Sequence, residues 1–388
     1  MTRIAGDSRA DANAAAVLRT VLTHGPVARS GIARICGLSP AAVSRQATGL
    51  LAGGLLRELP DPPGAGTGTA GRPLVPLDLN TGAVSGPVAA GLHIGVPAST
   101  FSLVDLRGAI LARRRLPHAD LHPDTLLPAL ASRLGAFLAE FANGRPLLGL
   151  GAALGGWVRP HDGVVVRHAA LGWHDVPLAA ELADRLRLAV RVDNHARAVA
   201  HAEMLFGRPE ARSSLVHLFI GNVVDAAFGI EGTVHQGPGA AAGDVAHLPV
   251  PGSRTPCPCG RTGCLQAAAS DTALGAEAVR RGIVPEPSVP LLVDAAATGD
   301  PRADRLLRER ARAVGRAAAL LLDVFNPAVM VVSELSSVLH EGYLEEIRQA
   351  AATQEGRIVS PHAGPAVLPV AAAAVLLDPL FRAPTHLN

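Results

Sequence analysis

The fold of this chain can be predicted from the stretch VAAGLHIGVPASTFSLVDLRGAILARRRL, residues 88–116. It contains three runs rich in apolar and β-branched residues, separated by tight turns near Pro97 and Gly108, which is typical of three consecutive strands. A similar order restarts at Ser213, where the runs SLVHLFIG and DAAFGIEG are followed by a third short run. The repetition predicts a duplicated, strand-rich body.

Alternating helical and strand patterns follow each of the two strand triplets. Three antiparallel strands followed by helices and strands, occurring twice, is the layout of the α/β actin-like ATPase and ribonuclease H-like folds. That layout places a ligand cleft between two lobes, and we expect the last helix, from about Ala372, to return to the first lobe. The predicted segments are helix 124–142, strand 146–154, helix 177–187, strand 189–194 and a further helix, then helix 303–325, strand 328–334, helix 336–351 and the stretch 366–371.

Length and composition indicate a globular protein of more than one domain. A chain of 388 residues exceeds one ordinary core. Its hydrophobic content of 48% against 18% charged residues argues against a disordered chain. Apolar runs are interrupted before twenty residues and the N-terminus lacks the apolar segment of an export signal, so we expect no membrane span and a cytoplasmic location. All basic side chains are arginine, which excludes a phosphate-binding or catalytic lysine.

The first eighty residues carry the pattern of a helix-turn-helix. A first amphipathic helix ends at the sequence HGP, and a second runs from about Ser30 to Cys36, with Ile32, Ile35 and Cys36 predicted to face inward,. Gly37 then turns the chain into a third helix within LSPAAVSRQATGLLAGG. Two strand patterns, LLRELP and LVPLDL, follow and predict a wing,.

In a helix-turn-helix the second helix of the pair enters the major groove of DNA. Ser39 is a good N-cap, and proline is tolerated at the first helical position that follows it. Arg72, in a Gly-rich linker, can reach a narrow minor groove. Two alternatives stay open: a three-helix packing unit without a DNA role, and a solvated loop charge at Arg72. The predicted DNA contacts are Ser39, Pro40, Ala41, Ser44, Arg45 and Arg72.

Three of the four cysteines, Cys257, Cys259 and Cys264, lie within the motif CPCGRTGCLQ. In a reducing compartment, clustered thiols indicate a metal site before a disulfide. A Cys-x-Cys pair can bind one metal ion from a single turn, and Gly260 and Gly263 allow the loop to fold back and deliver Cys264. A redox pair and unrelated surface thiols are the alternatives. The fourth cysteine, Cys36, is expected to be a buried small hydrophobic residue.

From end to end the chain resembles the ROK family of repressors, open reading frames and sugar kinases. It is most similar to the transcriptional regulators of that family, in which a winged helix-turn-helix precedes a sugar-kinase-like body. The resemblance implies a DNA-binding domain with linker at 1–82, a first lobe at 87–200 completed by a helix at 372–388, and a second lobe at 201–371. The motifs that carry it are RSGIARICGLSPAAVSRQATGLLAGGLL, GRPLVPLDLN, LGWHDVPLAAEL, GDVAHL, CPCGRTGCLQ and NPAVMVV.

The resemblance also implies a structural zinc site and a sugar-binding site. One imidazole and three thiolates form a closed shell that suits Zn²⁺. In the sugar site Asp244 and Gln266 stand where the family has glutamate, so the hydroxyl-binding set is altered. The implied metal ligands are His247, Cys257, Cys259 and Cys264, and the implied ligand-binding residues are Asn194, His195, Asp244, His247 and Gln266.

Kinases of this family hold ATP phosphates with glycine-rich loops and deprotonate the sugar with an aspartate. The corresponding stretches here, HIGVPA (93–98) and GNVVDAA (221–227), lack those glycines, and Asp225 would repel phosphate,. Glu334 falls in a third glycine pair near the adenosine, and His195 falls on the position of the catalytic aspartate. Since phosphoryl transfer depends on positioned, neutralised phosphates, we predict that the chain is not an enzyme.

Two interpretations of the cleft remain. It binds an altered effector, such as a different sugar, a sugar phosphate or another metabolite, or it is vestigial in a ligand-independent regulator. New chemistry from His93, His195, His235 and Asp225 is a third possibility, although their spacing supports no catalytic set. We expect a double-stranded DNA operator as partner, and a homodimer or homotetramer, because one helix-turn-helix rarely buries enough surface for specific binding.

Overall fold

The computed structural model describes residues 5–60, 75–352 and 356–384. Its N-terminal part contains three helices and a small antiparallel sheet in which β3 lies between β1 and β2. The predicted helix-turn-helix and both strands of its wing are present. The bounds are α1 Ala5–His24, β1 Val27–Ala28, α2 Arg29–Cys36, α3 Pro40–Ala52, β2 Leu56–Glu58 and β3 Pro76–Leu79.

The turn between α2 and α3 is built by the residues that the sequence indicates. Gly37 ends α2 with a φ of 68°, a conformation that costs glycine little. Ser39 Oγ accepts a hydrogen bond from the Ala42 amide at 3.2 Å. The prediction for Ile35 is wrong, since its side chain is 44% exposed. Only Ile32 of α2 is buried, because the short helix packs through its central turn and leaves its last turn at the surface.

The first lobe contains a five-stranded sheet in the order β11-β7-β4-β5-β6. β4, β5 and β6 are antiparallel neighbours, while β7 and β11 join the other side of β4 in parallel. Strands β8, β9 and β10 form a separate small sheet. The bounds are β4 Val88–Ile94, β5 Ala98–Asp105, β6 Ile110–Pro117, α4 Pro123–Phe141, β7 Leu147–Leu154, β8 Trp157–Arg159, β9 Val164–His168, β10 Trp173–Val176, α5 Leu178–Leu186, β11 Val190–Asn194 and α6 His195–Phe206.

The second lobe repeats this plan, with a sheet in the order β14-β13-β12-β15-β16. β12, β13 and β14 are antiparallel, and β15 and β16 join in parallel, which confirms the predicted duplication. The single helix predicted at 336–351 is two helices. The bounds are α7 Glu210–Ser213, β12 Ser214–Ile220, β13 Val224–Ile230, β14 Thr233–Val234, α8 Leu265–Ala269, α9 Asp271–Arg280, α10 Val289–Ala297, α11 Pro301–Phe325, β15 Val329–Glu334, α12 Leu335–Leu339, α13 Glu341–Ala350 and β16 Ile358–Val359.

The last helix, α14, spans Val367–Arg382, so it begins five residues before the predicted start and includes the stretch AVLPVA. It packs on the sheet of the first lobe, where a Cβ on Gly151 would lie 2.0 Å from the Ala372 carbonyl oxygen. Within the described ranges, Gly364–Arg382 is the one helical stretch long and apolar enough to cross a membrane, and 72% of it is buried inside the protein. It is a core helix of the first lobe. The exact domain boundaries stay a prediction.

The DNA-binding domain is packed against the body. Apolar side chains of α1, such as Val17 and Val21, belong to the same core cluster as Ala373 and Leu377 of α14. The Arg107 side chain, in the β5–β6 turn, donates to the Leu22 carbonyl oxygen at 3.1 Å and pairs with Asp78 of β3. A change in the body can therefore reach the helix-turn-helix through direct contacts.

Candidate functional site

The predicted DNA-contacting residues lie together at the start of α3. Ser39, Pro40, Ala41, Ser44 and Arg45 are all exposed, while Val43, Ala47 and Leu50 bury the opposite face of the helix. Arg45 has no ion-pair partner among the residues that the structure describes. The helix thus presents an arginine and two hydroxyl groups to solvent. Arg72 lies outside the described residues.

The four predicted metal ligands converge. The ligand atoms of His247, Cys257, Cys259 and Cys264 all lie within 4.8 Å of one another. Cys257 Sγ is 3.7 Å from His247 Nδ1, and Cys259 Sγ is 3.7 Å from Cys264 Sγ. Tetrahedral zinc with Zn–S of about 2.3 Å and Zn–N of about 2.0 Å requires ligand separations of about 3.6–3.8 Å. The donor set and its spacing therefore fit a tetrahedral metal ion.

The backbone of the cysteine loop explains why the two glycines are needed. Gly260 and Gly263 have φ of 86° and 73°. A Cβ on Gly263 would also lie 2.5 Å from the Ser253 carbonyl oxygen. These conformations bring Cys264 back beside Cys259, and Cys264 then precedes the first turn of α8.

The thiols of the cluster have divergent acidities. A hydrogen bond from Arg261 lowers the pKa of Cys259 to about 6, which favours its thiolate. Burial and the neighbouring thiols raise the pKa of Cys264 to about 11. Three adjacent thiolates need a nearby positive charge, and a metal ion in the middle of the cluster would provide it.

Asp225, at the start of β13, makes contacts from the second lobe to the first. Its Oδ2 atom accepts hydrogen bonds from the Asn194 side chain at 3.0 Å and from the Gly156 amide at 3.4 Å. The same atom lies 3.1 Å from His195 Nε2. Burial alone would raise the pKa of Asp225, but the His195 and Asn194 contacts hold it below its usual value. A carboxylate of the second lobe is thus bound by three groups of the first.

Histidine rings surround this contact. The His93 and His195 rings are stacked with centroids 6.2 Å apart, and the Phe219 ring lies 3.9 Å from that of His195. His217 is held by the Ala196 carbonyl oxygen and by Ser333 Oγ, each at 2.9 Å. Burial lowers the pKa of His93 and of His217 to about 3, and that of His168 to about 4. These three rings are neutral at physiological pH.

The predicted ligand-binding residues are used differently from what the sequence indicates. Asn194 Oδ1 caps α6 by accepting from the Ala196 amide at 2.7 Å. Gln266 Oε1 accepts from the Val224 amide and its amide group donates to the Asn222 carbonyl oxygen. Asp244 is exposed, and its carboxylate accepts from the Ala246 amide. The side chains of Asn194 and His195 therefore both lie at Asp225. The side-chain amide of Gln266 is instead hydrogen-bonded to the backbone at the β12–β13 turn.

The further catalytic set considered from the sequence is only partly assembled. His93, His195 and Asp225 are adjacent, whereas His235 is exposed on the chain after β14. The contact between His195 and Asp225 could be suspected from the sequence only as two unusual residues in two motifs. Their distance is a property of the packed lobes.

Glu334, at the end of β15, is a buried carboxylate with a complete set of partners. It accepts from the amides of Ser336 and Ser337, at 3.1 and 2.8 Å. Arg310 Nη1 of α11 lies 3.0 Å away, and the same guanidinium contacts Asp271 at 2.6 Å. Sequence reasoning missed this arrangement, since the three acidic and basic residues are far apart in the chain.

Comparison with known proteins places these features in a family. The ROK family profile matches residues 89–372. A transcriptional regulator of Mycobacterium tuberculosis is 35% identical over 366 residues, which cover 90% of this chain and 80% of that protein. The xylose repressor of Caldicellulosiruptor bescii is 26% identical over 350 residues, or 86% of this chain and 85% of that protein.

A solved structure shows the same fold over nearly the whole chain. It is a ROK family transcriptional regulator, a homologue of the Escherichia coli MLC protein, and it superposes with a TM-score of 0.77 at 24% identity. The match covers 97% of this chain and 98% of that one. This chain therefore shares the fold of that protein over nearly its whole length.

Proposed function

Since the chain belongs to the ROK family, we propose that it is a DNA-binding transcriptional regulator whose body does not transfer phosphate. The observation that carries the proposal is the exposed, N-capped start of α3, packed through α1 onto the body. The curated relatives named as a transcriptional regulator and as a xylose repressor support this reading. By the same comparison, we propose that it represses genes of carbohydrate metabolism in the cytoplasm.

DNA recognition follows from the geometry of α3. The helix N-terminus and the hydroxyl groups of Ser39 and Ser44 suit phosphate oxygens, and Arg45 can reach a guanine edge. A single module of this size buries too little surface for tight specific binding, so we propose that two copies read a two-fold related operator.

Replacing Arg45 by alanine tests this orientation. Loss of one arginine contact to a base costs about 1–3 kcal/mol, so we expect binding to DNA from upstream of the protein's own gene to weaken by about 5- to 150-fold. Fluorescence anisotropy at fixed salt measures it. Arg133→Ala is the matched control, because Arg133 is an exposed arginine on α4 of the body. Equal affinities of the wild type and Arg45→Ala would show that α3 is oriented differently.

Loss of kinase activity is supported by what now occupies the nucleotide-binding positions of the family. Asp225 places a carboxylate in the second phosphate loop, where it is bound by Asn194, His195 and Gly156. Glu334 fills the position near the adenosine with a side chain that is 1% exposed. Two buried carboxylates would have to leave their partners before a polyphosphate could enter, and both would repel it.

We therefore expect no ATP-dependent phosphorylation of sugars. A coupled assay of ADP release with a panel of free hexoses, pentoses and amino sugars measures this, with an active sugar kinase as the positive control. Sugar-dependent ADP release by the wild-type protein that persists through repeated purifications would contradict the proposal. ADP release that is independent of sugar would indicate a contaminating ATPase. Such a contaminant is recognised because its activity varies between repeated purifications.

We also propose that the cysteine cluster holds one structural Zn²⁺. The ligands would be His247, Cys257, Cys259 and Cys264, and the ion would supply the positive charge that three thiolates require. With four protein ligands the shell has no open position, so the ion would have no catalytic role. Gln266, two residues after Cys264, connects this loop to Asn222 and Val224, just before Asp225 of β13.

A second candidate role concerns the cleft itself. Asn194 and Gln266 use their side-chain amides in protein contacts, and Val223 lies against Gly155 and His195, where a Cβ on Gly155 would be 3.0 Å from Val223 Cγ2. These contacts favour a cleft that serves to hold the lobes together. An effector that signals to the DNA-binding domain would then have to bind elsewhere.

A further inference from the structure

A cavity of about 180 Å³ lies where the DNA-binding domain meets both lobes of the body. α1 contributes Arg19 and Leu22, α6 contributes Met204 and Leu205, and α14 contributes Phe381 and Arg382. The turn between β13 and β14 closes it with Glu231 and Gly232. We call this space the junction cavity, and its walls come from parts of the chain that are far apart in sequence.

The junction cavity carries more positive than negative charge. Its lining includes the guanidinium groups of Arg19, Arg212 and Arg382 against the carboxylates of Asp378 and Glu231. Asp378 is already engaged by Arg382 at 2.7 Å and lies 3.2 Å from His201 Nδ1. Its negative charge is therefore shared among several cations behind the cavity wall.

Two of the three arginines have no ion-pair partner among the residues that the structure describes. Arg212 donates to the carbonyl oxygens of Met204 and Leu205, which are neutral acceptors. In the described part of the chain, neither Arg19 nor Arg212 has a carboxylate within ion-pair distance. Partial desolvation and then the neighbouring Arg382 lower the pKa of Arg19, while the nearby Asp378 opposes this shift. Cations held in this way near an apolar surface favour the approach of an anion.

The rest of the lining is apolar. Leu22, Met204, Leu205 and Phe381 provide aliphatic and aromatic surface beside the guanidinium groups. A cavity of about 150 Å³ admits benzene, so the junction cavity has room for a compact molecule of similar size with one charged group. An arginine pair above an apolar floor suits a carboxylate or a phosphate ester attached to a small apolar group.

We propose that the junction cavity is a binding site for a small organic anion, and that its occupancy changes the affinity of the helix-turn-helix for DNA. The second half of this inference rests on the proposed function as a regulator. An anion bound between Arg19 and Arg212 would contact α1, α6 and the β13–β14 turn at once. It would stabilise the arrangement of those elements in which both guanidinium groups point at the same site.

Benzoate and phenyl phosphate are suitable probes, with benzamide as the neutral control. Isothermal titration calorimetry on the full chain is expected to show saturable binding of at least one anion at millimolar concentration and none of benzamide. Arg19→Gln should weaken that binding about tenfold, since it removes one of two charged contacts. Arg19 makes no hydrogen bond in the described structure, so this variant keeps the fold, and an unchanged melting temperature without probe verifies it. Arg133→Gln is the matched control.

The outcomes distinguish three failures: that of the anion site, that of its coupling to DNA binding, and that of the proposed function as a regulator. Absence of saturable binding by both anions, or equal binding by wild type and Arg19→Gln, overturns the site. Binding that depends on Arg19 but leaves the affinity for upstream DNA unchanged overturns the coupling. Failure of the wild type to bind upstream DNA in any arm contradicts the regulator proposal, while the calorimetric result on the site still stands.

Discussion

Replacement of Cys257 by serine is expected to release the metal ion and to lower the melting temperature by about 10 °C. Cys257 and Cys264 are buried, and Val250 is the other buried apolar side chain between Pro249 and Cys264. Zinc bound by such ligand sets contributes on the order of 10 kcal/mol to ordering small peptides. Loss of one ligand is expected to cost roughly 3–5 kcal/mol, which corresponds to roughly 10 °C for a domain of this size.

The measurements are metal content by mass spectrometry, melting temperature by calorimetry and sites of limited proteolysis. We expect one zinc per chain in the wild type, substoichiometric zinc in Cys257→Ser and new cleavage within 247–266. Cys36→Ser is the matched control, because Cys36 is a half-buried cysteine of α2 that is not part of the cluster. Unchanged metal content and stability in Cys257→Ser would mean that the four side chains do not bind a metal.

Mild acid is expected to destabilise the protein strongly. The pKa of His217 and of His93 is about 3 in the folded chain, and that of His168 about 4, in each case because burial disfavours the charged ring. Between these values and the ordinary histidine pKa of 6.5, the unfolded chain binds protons that the folded chain does not. Stability is therefore fully present above that ordinary value and falls as the pH decreases towards 4 and 3.

The expected loss is roughly 3 kcal/mol per histidine by about pH 4. Glu203 offsets the loss of stability from about one histidine. Burial raises the pKa of Glu203 to about 7, so that between this pH and its ordinary pKa the folded chain binds a proton that the unfolded chain does not. The net loss of roughly 6 kcal/mol is comparable to the whole stability of many domains.

Above neutral pH, the stability contributed by His201 changes with pH in the opposite direction. Burial alone would lower its pKa, but Asp378 and Asp193 raise it to about 9, so the stability it contributes is lost as the pH rises towards that value.

Denaturant unfolding followed by circular dichroism across the acid range checks this expectation. His217→Gln should show a weaker decrease of the unfolding free energy with falling pH than the wild type, whatever its stability at neutral pH. His174→Gln is the control, since His174 is exposed on β10. If the unfolding free energy of the wild type does not change between neutral pH and about pH 4, the buried histidine rings are not held neutral in the folded chain.

Features that depend on neighbouring residues could be predicted from the sequence. The Ser39 cap, the Gly37 turn and the buried face of α3 follow from short-range geometry, and so does the strand order within each antiparallel triplet. The cysteine motif also belongs to this group, because a single turn delivers Cys257 and Cys259. The limits of local patterns appear at Ile35 and at the start of α14. Both depend on which surface a neighbouring element covers.

Features that depend on distant pairs were decided by the tertiary structure. Asp225 meets Asn194 and His195 across the cleft, and Arg310 meets Glu334 and Asp271 from another helix. The sequence indicated that phosphate-binding glycines were replaced, but not that Asp225, one of the replacements, contacts the first lobe from the second.

By itself, the sequence predicted a helix-turn-helix, a duplicated body and a loop with clustered candidate metal ligands, since periodicity, caps and clustered thiols act over a few residues. Only the tertiary structure decided where charges are paired and where they are not. The junction cavity exists because α1, α6 and α14 approach one another, and Arg19 and Arg212 are among the residues that line it. Electrostatic pairing depends on distance and burial after packing, and no local pattern encodes either quantity.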